Sequence, residues 1–259
     1  MNDTINTILN RCSLRKFKNQ DISKEDLSLI LESMKRAPTA GNQMLYSVII
    51  VTDKEKLSQL AISCDNQPFI KDAPLAMIIL ADQQKWFDYY LQNNVVGYCQ
   101  KVGLEYKSPQ MGDLFIAIED AMIAAQNAVI AAESLGIGSC YIGDILENYE
   151  FHKELFKLPD FVFPISMLVF GYYPDQHKKV FRTRFDNKYF VFENEYQSLD
   201  ENQIEEMFNS SSKAYKENNS FQADNFAQMF YARKTNSDFM KEMNRSILKM
   251  LENWNGQKK

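Results

Sequence analysis

Residues 112–144 read GDLFIAIEDAMIAAQNAVIAAESLGIGSCYIGD, and the rest of the chain is best understood outward from this stretch. From Leu114 to Leu135 nearly every position is apolar or alanine, and neither proline nor glycine interrupts the run. These residue types favour a helix, and a helix that is apolar on almost every side belongs inside a domain. Acidic and amide side chains within the run argue against a membrane span. The stretch therefore predicts a buried central helix.

The end of this helix is marked by Gly136 and Gly138. Two glycines around a single residue are typical of a helix C-cap followed by a turn that requires positive φ. A short apolar segment follows and ends at Gly143 and Asp144. Backbone without a Cβ atom would let a flat ligand approach there, although from these residues alone close packing is the favoured explanation of the glycine.

Composition and charge exclude several classes of protein. The chain is 45% hydrophobic and 24% charged, as in an ordinary globular protein. Its net charge of -5 argues against a nucleic-acid partner, which would require a basic surface. We find neither a signal-peptide pattern nor a membrane span, so we expect a cytoplasmic protein with no membrane partner. The four widely spaced cysteines predict buried free thiols rather than disulfides or a metal site.

Turn signals and apolar runs divide the remaining chain into helices and strands. The predicted strands cover residues 45–52, 74–81, 161–170 and, briefly, 189–192. The predicted helices cover residues 3–10, 23–37, 53–60, 86–100, 146–156, 201–215 and 238–254. Pro164 lies inside the third strand, which indicates an edge position or a bulge. This order favours an α/β or α+β sandwich, and the aromatic segment 86–100 is a candidate lining for a substrate pocket.

Two short segments carry candidate chemistry. Arg11, Ser13 and Arg15 form an R-x-S-x-R motif, and guanidinium and hydroxyl groups are donors that suit phosphate oxygens. In isolation the motif is also typical of a solvated basic turn. The loop 37–43 is rich in small residues, and it either lets a ligand or second subunit approach or simply connects two elements. The sequence has no G-x-G-x-x-G motif after a strand and no P-loop.

Taken together, five motifs resemble the nitroreductase family of FMN-dependent oxidoreductases over roughly residues 5–197. In chain order they are R-x-S-x-R-x-F at 11–17, APTAGN at 37–42, AAQN with AAESLGIG at 124–138, YIG at 141–143 and R-x-R-F at 182–185. The resemblance implies an α+β fold, a three-layer α-β-α sandwich with a mixed, largely antiparallel sheet and a buried central helix. It also implies a homodimer that binds FMN at the subunit interface. We expect an FMN-binding domain at residues 1–198 and a helical extension at 199–259 that packs on the dimer.

The same resemblance implies which residues bind the cofactor. The phosphate would be held by Arg11, Cys12 and Ser13, together with Arg182 or Arg184. The pyrimidine edge of the flavin would face Arg15 and Gln67. The flavin would be lined by Tyr141, Ile142, Gly143 and Asp144, with the backbone N–H of Gly143 or Asp144 toward N5. The flavin of the other subunit would be reached by Pro38, Thr39, Gly41 and Asn42.

In this scheme no side chain acts as a catalytic acid or base, and no metal is required, because the flavin itself carries the hydride. The resemblance implies an NAD(P)H-dependent enzyme that reduces a small-molecule acceptor, namely a nitroaromatic, a quinone or free flavin, by ping-pong hydride transfer. Three alternatives stay open. The first alternative is a dehalogenase of the same fold. The second is an FMN-binding or flavin-storing protein with little turnover, and the third is a structural dimer without flavin.

Overall fold

The computed structural model describes residues 2–215 and 220–254. The chain divides into two compact units, one within Met1–Lys178 and Glu242–Lys259 and the other within Lys179–Lys241. The strands are β1 (Tyr46–Val51), β2 (Leu75–Asp82), β3 (Ile137–Ile142) and β4 (Val162–Tyr172). The helices are α1 (Asp3–Asn10), α2 (Lys24–Lys35), α3 (Lys54–Ser63), α4 (Phe69–Asp72), α5 (Gln84–Gln92), α6 (Val95–Val102), α7 (Met111–Ser134), α8 (Tyr149–Phe156), α9 (Glu201–Lys213), α10 (Phe226–Phe230) and α11 (Asp238–Trp254).

The sheet has the order β1-β2-β4-β3, and each of its three pairings is antiparallel. A single parallel bridge joins Ser13 to Ser139 on β3. Pro164 lies in a central strand, and the register with β2 shifts at this point, between Ile79 and Leu80. The proline is therefore accommodated at a bulge, one of the two positions that the sequence indicates.

Both faces of the sheet are covered, which confirms the predicted three layers. Strand β2 is buried along its whole length, and its alternate side chains enter different clusters. Met77 and Ile79 pack in the cluster that contains the alanines of α7, whereas Ile78 and Leu80 pack in the cluster that contains Leu57 of α3. Side chains of a strand alternate between its two faces, so a continuous apolar run indicates a strand covered on both sides.

Helix α7 is the core helix of the first unit. Its small side chains Ala117, Ala121 and Ala124 are fully buried, which lets the helix lie close to the sheet. By length and composition alone α7 could cross a membrane. The helix ends at Ser134, and Gly136 follows with φ +75°, which confirms the predicted positive-φ turn.

Three local predictions differ from the structure. The aromatic segment forms two helices rather than one, because Asn94 between α5 and α6 takes a left-handed conformation with φ 50°. The segment expected as a strand at 189–192 contains instead the end of a 3-10 turn, Asn187–Tyr189. Residues 67–70 include Pro68, and the sequence predicts a loop there; in the structure Phe69 and Ile70 instead begin α4.

The C-terminal half of α11 belongs to the core of the first unit. Ser246, Met250 and Trp254 are buried on one face of this helix, and the Trp254 ring lies edge-on to the Phe161 ring at 5.5 Å. Along the chain the boundaries between the two compact units lie at 178/179 and 241/242, whereas the boundary expected from the resemblance lies at 198/199. The functional division into a cofactor domain and an extension stays a prediction.

Candidate cofactor site

The basic segment 11–17 is anchored on the sheet by its apolar side chains. The Leu14 backbone N–H donates to the Ser139 carbonyl at 2.9 Å, and the Leu14 side chain is fully buried. A Cβ atom on Gly138 would lie only 2.6 Å from this side chain, and one on Gly171 would lie 2.6 Å from the Phe17 ring. The two glycines therefore let Leu14 and Phe17 seat directly on β3 and β4.

The polar side chains of the motif gather over β3. Burial raises the pKa of the Cys140 thiol, and the nearby side chains of Arg15, Ser13 and Arg11 counteract part of this rise. The pKa of Tyr141 is also raised, to about 12, because the effect of burial exceeds the opposing effect of the Arg11 charge. Arg11 is half-exposed, while Ser13 and Arg15 are exposed. Two cations and a hydroxyl thus converge at one place that remains accessible to an anion.

Cys12 has a different environment from its neighbours. Its side chain is buried, and it contributes, after burial and Glu133, to raising the pKa of the Tyr173 hydroxyl. That hydroxyl donates to the Glu133 carboxylate at 2.9 Å. The thiol therefore packs against Tyr173, and a role for Cys12 in phosphate binding is left to its backbone.

The side chains of Gln67 and Asp144 are hydrogen-bonded to each other. The Gln67 Nε2 group donates to the Asp144 carboxylate at 2.8 Å and to the Cys64 carbonyl at 3.0 Å. Both amide protons are used in this way, so the carbonyl oxygen is what the Gln67 side chain has left to offer a ligand. The Arg15 guanidinium lies 5.8 Å from the centroid of the Phe69 ring, two residues beyond Gln67.

The backbone is open where β3 ends. Gly143 is exposed, and apart from its two chain neighbours no described residue has an atom within 4 Å of the position that the Gly143 Cβ would occupy. The neighbouring Ile142 side chain is buried in the core, and the Tyr141 hydroxyl donates to the Gln126 side chain at 3.3 Å. Open backbone next to two cations and an amide oxygen fits a flat cofactor with an anionic tail such as FMN.

The loop 38–42 is fixed to α7 rather than to this cluster. The carboxylate of Asp120 accepts hydrogen bonds from the backbone N–H groups of Ala40 at 2.9 Å and Leu45 at 3.2 Å. Thr39 accepts from the Met44 N–H at 3.2 Å, and Gly41 has φ +56°. The role of Asp120 was missed in the sequence, where a carboxylate on the buried alanine face of a helix is the available signal.

The residues expected to reach the other subunit lie in the loop 38–42 and are mostly exposed. Pro38, Gly41 and Asn42 are exposed, and Thr39 is half-buried. Arg182 and Arg184 are also exposed, and both belong to the second compact unit. Their assignment to the cofactor phosphate stays a prediction.

A cavity of about 360 Å³ lies beside the aromatic segment. Phe87, Tyr90 and Tyr106 line it together with the polar side chains of Gln43 and Gln83. The indole Nε1 of Trp86 donates to the Gln43 carbonyl at 2.9 Å. This aromatic lining agrees with the expectation that segment 86–100 borders a pocket.

The comparisons with known proteins point to one family. The model of the Nitroreductase family matches residues 8–172. An FMN reductase (NADPH) of Bacillus subtilis (strain 168) is 29% identical over 172 residues, 66% of each chain. A CR(VI) reductase of Pseudomonas sp. (strain G-1) is 30% identical over 242 residues, 93% of each chain.

Solved structures share the fold over nearly the whole chain. Nitroreductase A from Vibrio parahaemolyticus superposes with a TM-score of 0.79 at 29% identity, over 98% of each chain. The NADPH:FMN oxidoreductase from Vibrio harveyi, complexed with NAD+, gives a TM-score of 0.78 at 25% identity, also over 98% of each chain. The chain therefore belongs to the nitroreductase family of FMN-dependent NAD(P)H oxidoreductases.

Proposed function

We propose that the enzyme reduces nitroaromatics, quinones or free flavin by ping-pong hydride transfer, with FMN held between two copies of the chain. One observation carries the proposal, namely the convergence of Arg11, Ser13 and Arg15 over β3, beside the open backbone of Gly143. The protein has a net charge of -5, so a local group of cations is needed to hold an anionic cofactor.

The phosphate of FMN would be held by Arg11 and Ser13 and by the backbone of Cys12, because a phosphate group requires several donors. Arg182 or Arg184 would complete this set. Arg15 and the Gln67 carbonyl oxygen would face the pyrimidine edge of the flavin. A cation at that edge favours a negatively charged reduced flavin. When bound, FMN would supply the hydride chemistry between NAD(P)H and the acceptor.

The backbone at Gly143 and Asp144 would lie against the flavin, with an N–H group toward N5. The two residues that precede this backbone, Tyr141 and Ile142, are half-buried and buried, so they hold it against the core. The chain itself contributes position and charge, which are the contributions expected of a protein that binds a reactive cofactor.

A second copy of the chain is expected to cover part of α7. Phe115 is 62% exposed and Ile116 and Ile123 are more than two fifths exposed, although all three lie on the core helix. An apolar surface of this kind is typical of an interface between subunits. In such a homodimer the exposed residues Pro38, Gly41 and Asn42, with Thr39, would reach the flavin of the partner.

The proposal is tested first by the absorbance spectrum of the purified protein and by acid release of its cofactor. We expect about one FMN per chain, as the resemblance to flavoproteins implies. Initial rates with NADPH and menadione at several fixed acceptor concentrations should give parallel double-reciprocal lines. Flavin retained without turnover would favour the storage alternative, and a protein that takes up no added FMN would refute the proposal.

The site assignment is tested by Arg15→Ala, with the adjacent exposed residue changed in Lys16→Ala as the matched control. We expect Arg15→Ala to weaken FMN retention or slow flavin reduction. A charge-assisted hydrogen bond contributes about 1.5–3 kcal/mol, which corresponds to about tenfold or more in affinity. Equal FMN affinity and turnover in the two variants would contradict the role of Arg15.

A further inference from the structure

Behind the open backbone of Gly143 lies a buried carboxyl group that the proposed flavin chemistry does not use. Glu147 is 5% exposed, and its Oε1 atom is buried with no hydrogen-bond partner among the residues that the structure describes. An ionised carboxylate in such a place is costly, so the group is expected to hold a proton. Burial, followed by the negative charges of Asp144, Asp65 and Glu242, raises the pKa of Glu147 to about 8.

Asp144 connects this buried acid to the candidate site. The 3-10 turn Gly143–Leu146 begins at the open backbone and is capped by Glu147, whose N–H donates to the Asp144 carbonyl at 3.1 Å. Side chains three residues apart lie one above the other in a 3-10 turn. Asp144 is half-buried, whereas Glu147 is buried. The pair therefore leads from the core to the edge of the cofactor site.

The two carboxyl groups have different environments. Gln67 Nε2 donates a hydrogen bond to the Asp144 carboxylate at 2.8 Å. Within the described part of the chain Glu147 has no such donor at Oε1, and burial favours its protonated form. A carboxyl group whose environment keeps it protonated can act as an acid. Glu147 is such a group, and it lies beside the carboxyl group of Asp144.

The surrounding groups maintain this difference. His152 is fully buried, and burial lowers its pKa to about 4, so the ring is neutral. Burial also raises the pKa of the Cys64 thiol, which keeps it protonated. The Arg245 guanidinium beside Glu242 donates to both the Glu242 and the Glu150 carboxylates, at 2.8 Å each. These groups leave Glu147 facing neutral or negatively charged neighbours.

We propose that Glu147 is the proton reservoir for the oxidative half of the reaction, and that Asp144 relays its proton to the acceptor. This inference rests on the proposed function. A quinone that takes a hydride, which carries two electrons, becomes a hydroquinone anion. The O–H bond of Glu147 then breaks, the proton passes through the Asp144 carboxylate, and a new O–H bond forms on the hydroquinone. Solvent returns one proton to Glu147 in each cycle.

The test compares Glu147→Gln with Glu154→Gln, which changes an exposed carboxylate on the following helix, α8. Each holoenzyme is reduced with NADPH without oxygen and then mixed with menadione, and flavin absorbance is followed. We expect Glu147→Gln to reoxidise more slowly, on the order of 10²-fold, since a positioned proton donor typically contributes that much. The rate for the wild type should fall as pH rises through about 8, and this dependence should disappear in Glu147→Gln. Glu154→Gln should behave as the wild type.

A second readout requires no cofactor. The infrared spectrum of the apoprotein should contain the carbonyl band of a protonated carboxyl group at neutral pH, and Glu147→Gln should lack it. If Glu147→Gln does not fold, Asp144→Asn is expected to slow reoxidation in the same manner.

The outcomes separate the two proposals. A wild-type protein without FMN reduction refutes the proposed function, and the relay with it. If the wild type is reduced normally and the Glu147 and Asp144 variants reoxidise with its rate and pH profile, only the relay is overturned. A missing carbonyl band in the wild type overturns the relay as well.

Discussion

Replacing Asp120 by alanine removes the carboxylate that holds the loop 38–42 on α7. Asp120 is 3% exposed, and it accepts hydrogen bonds from the backbone N–H groups of Ala40 and Leu45 at 2.9 and 3.2 Å. Without this carboxylate both donors lose their partner. Leu45 is buried, so its N–H cannot turn to water, whereas Ala40 is half-buried and can be partly hydrated.

The size of the effect follows from these two environments. A buried donor left unsatisfied costs about 1–3 kcal/mol, and the Ala40 donor should cost less because water reaches it. We therefore expect Asp120→Ala to lower the free energy of unfolding by about 2–4 kcal/mol. Asp120→Asn should be destabilising too, since its amide offers one acceptor oxygen but directs an NH₂ group toward the other backbone donor.

The assay is urea unfolding of the apoprotein, followed by FMN titration of the folded variant. The control is Glu119→Ala, which changes an exposed carboxylate at the preceding helix position and should alter stability by no more than about 0.5 kcal/mol. FMN affinity should fall for Asp120→Ala, because the loop is proposed to reach the cofactor of the partner. Equal unfolding free energies for the two alanine variants would refute the anchoring role of Asp120.

Two further predictions concern packing and pH. Gly138→Ala should displace Leu14 and lower the free energy of unfolding by about 1–3 kcal/mol, as overpacking does. It should also weaken FMN binding in a titration. The control is Gly112→Ala, where no atom of another element of the described chain lies within 4 Å of the added Cβ, and this variant should have neither effect. Burial lowers the pKa of His152 from 6.5 to about 4, so the unfolded chain takes up a proton there before the folded chain does. The stability of the wild type relative to His152→Gln should thus be fully present above pH 6.5 and should fall, by on the order of 3 kcal/mol, as pH decreases to about 4. Parallel stability curves from chemical unfolding at several pH values would contradict the buried neutral histidine.

Local chemistry explains why so much of the secondary structure could be predicted. Ser23 and Asp53 accept from the N–H groups three residues ahead, as N-cap residues do, and the helices α2 and α3 begin directly after them. Strands β1, β2 and β4 are apolar runs next to turn residues, so their positions could be predicted from the sequence. Asn94 is an exception, because a left-handed break inside an aromatic run has little local signature when the residue is not glycine.

The site was less predictable because its contacts join distant parts of the chain. Asp120 and Leu45 are 75 residues apart, and Gln67 and Asp144 are 77 apart. The motif R-x-S-x-R indicated the donors, but the reason that they face outward is the seating of Leu14 on Gly138, which only the fold reveals. Cys12 illustrates the same limit, since its position in the motif suggested a ligand contact and its thiol is buried beside Tyr173.

Helix α7 combines both situations in one element. Its apolar composition on nearly every side predicted burial, and the side that carries Ala117 and Ala124 is fully buried in the first unit. Phe115 and Ile123 on the same helix remain exposed in the single chain. A residue that is exposed in a single chain can be buried in an oligomer, and its apolar character then reflects the oligomer. In the homodimer that we propose, a second copy of the chain would cover these apolar residues of α7, and the loop 38–42 would meet the cofactor of the partner there.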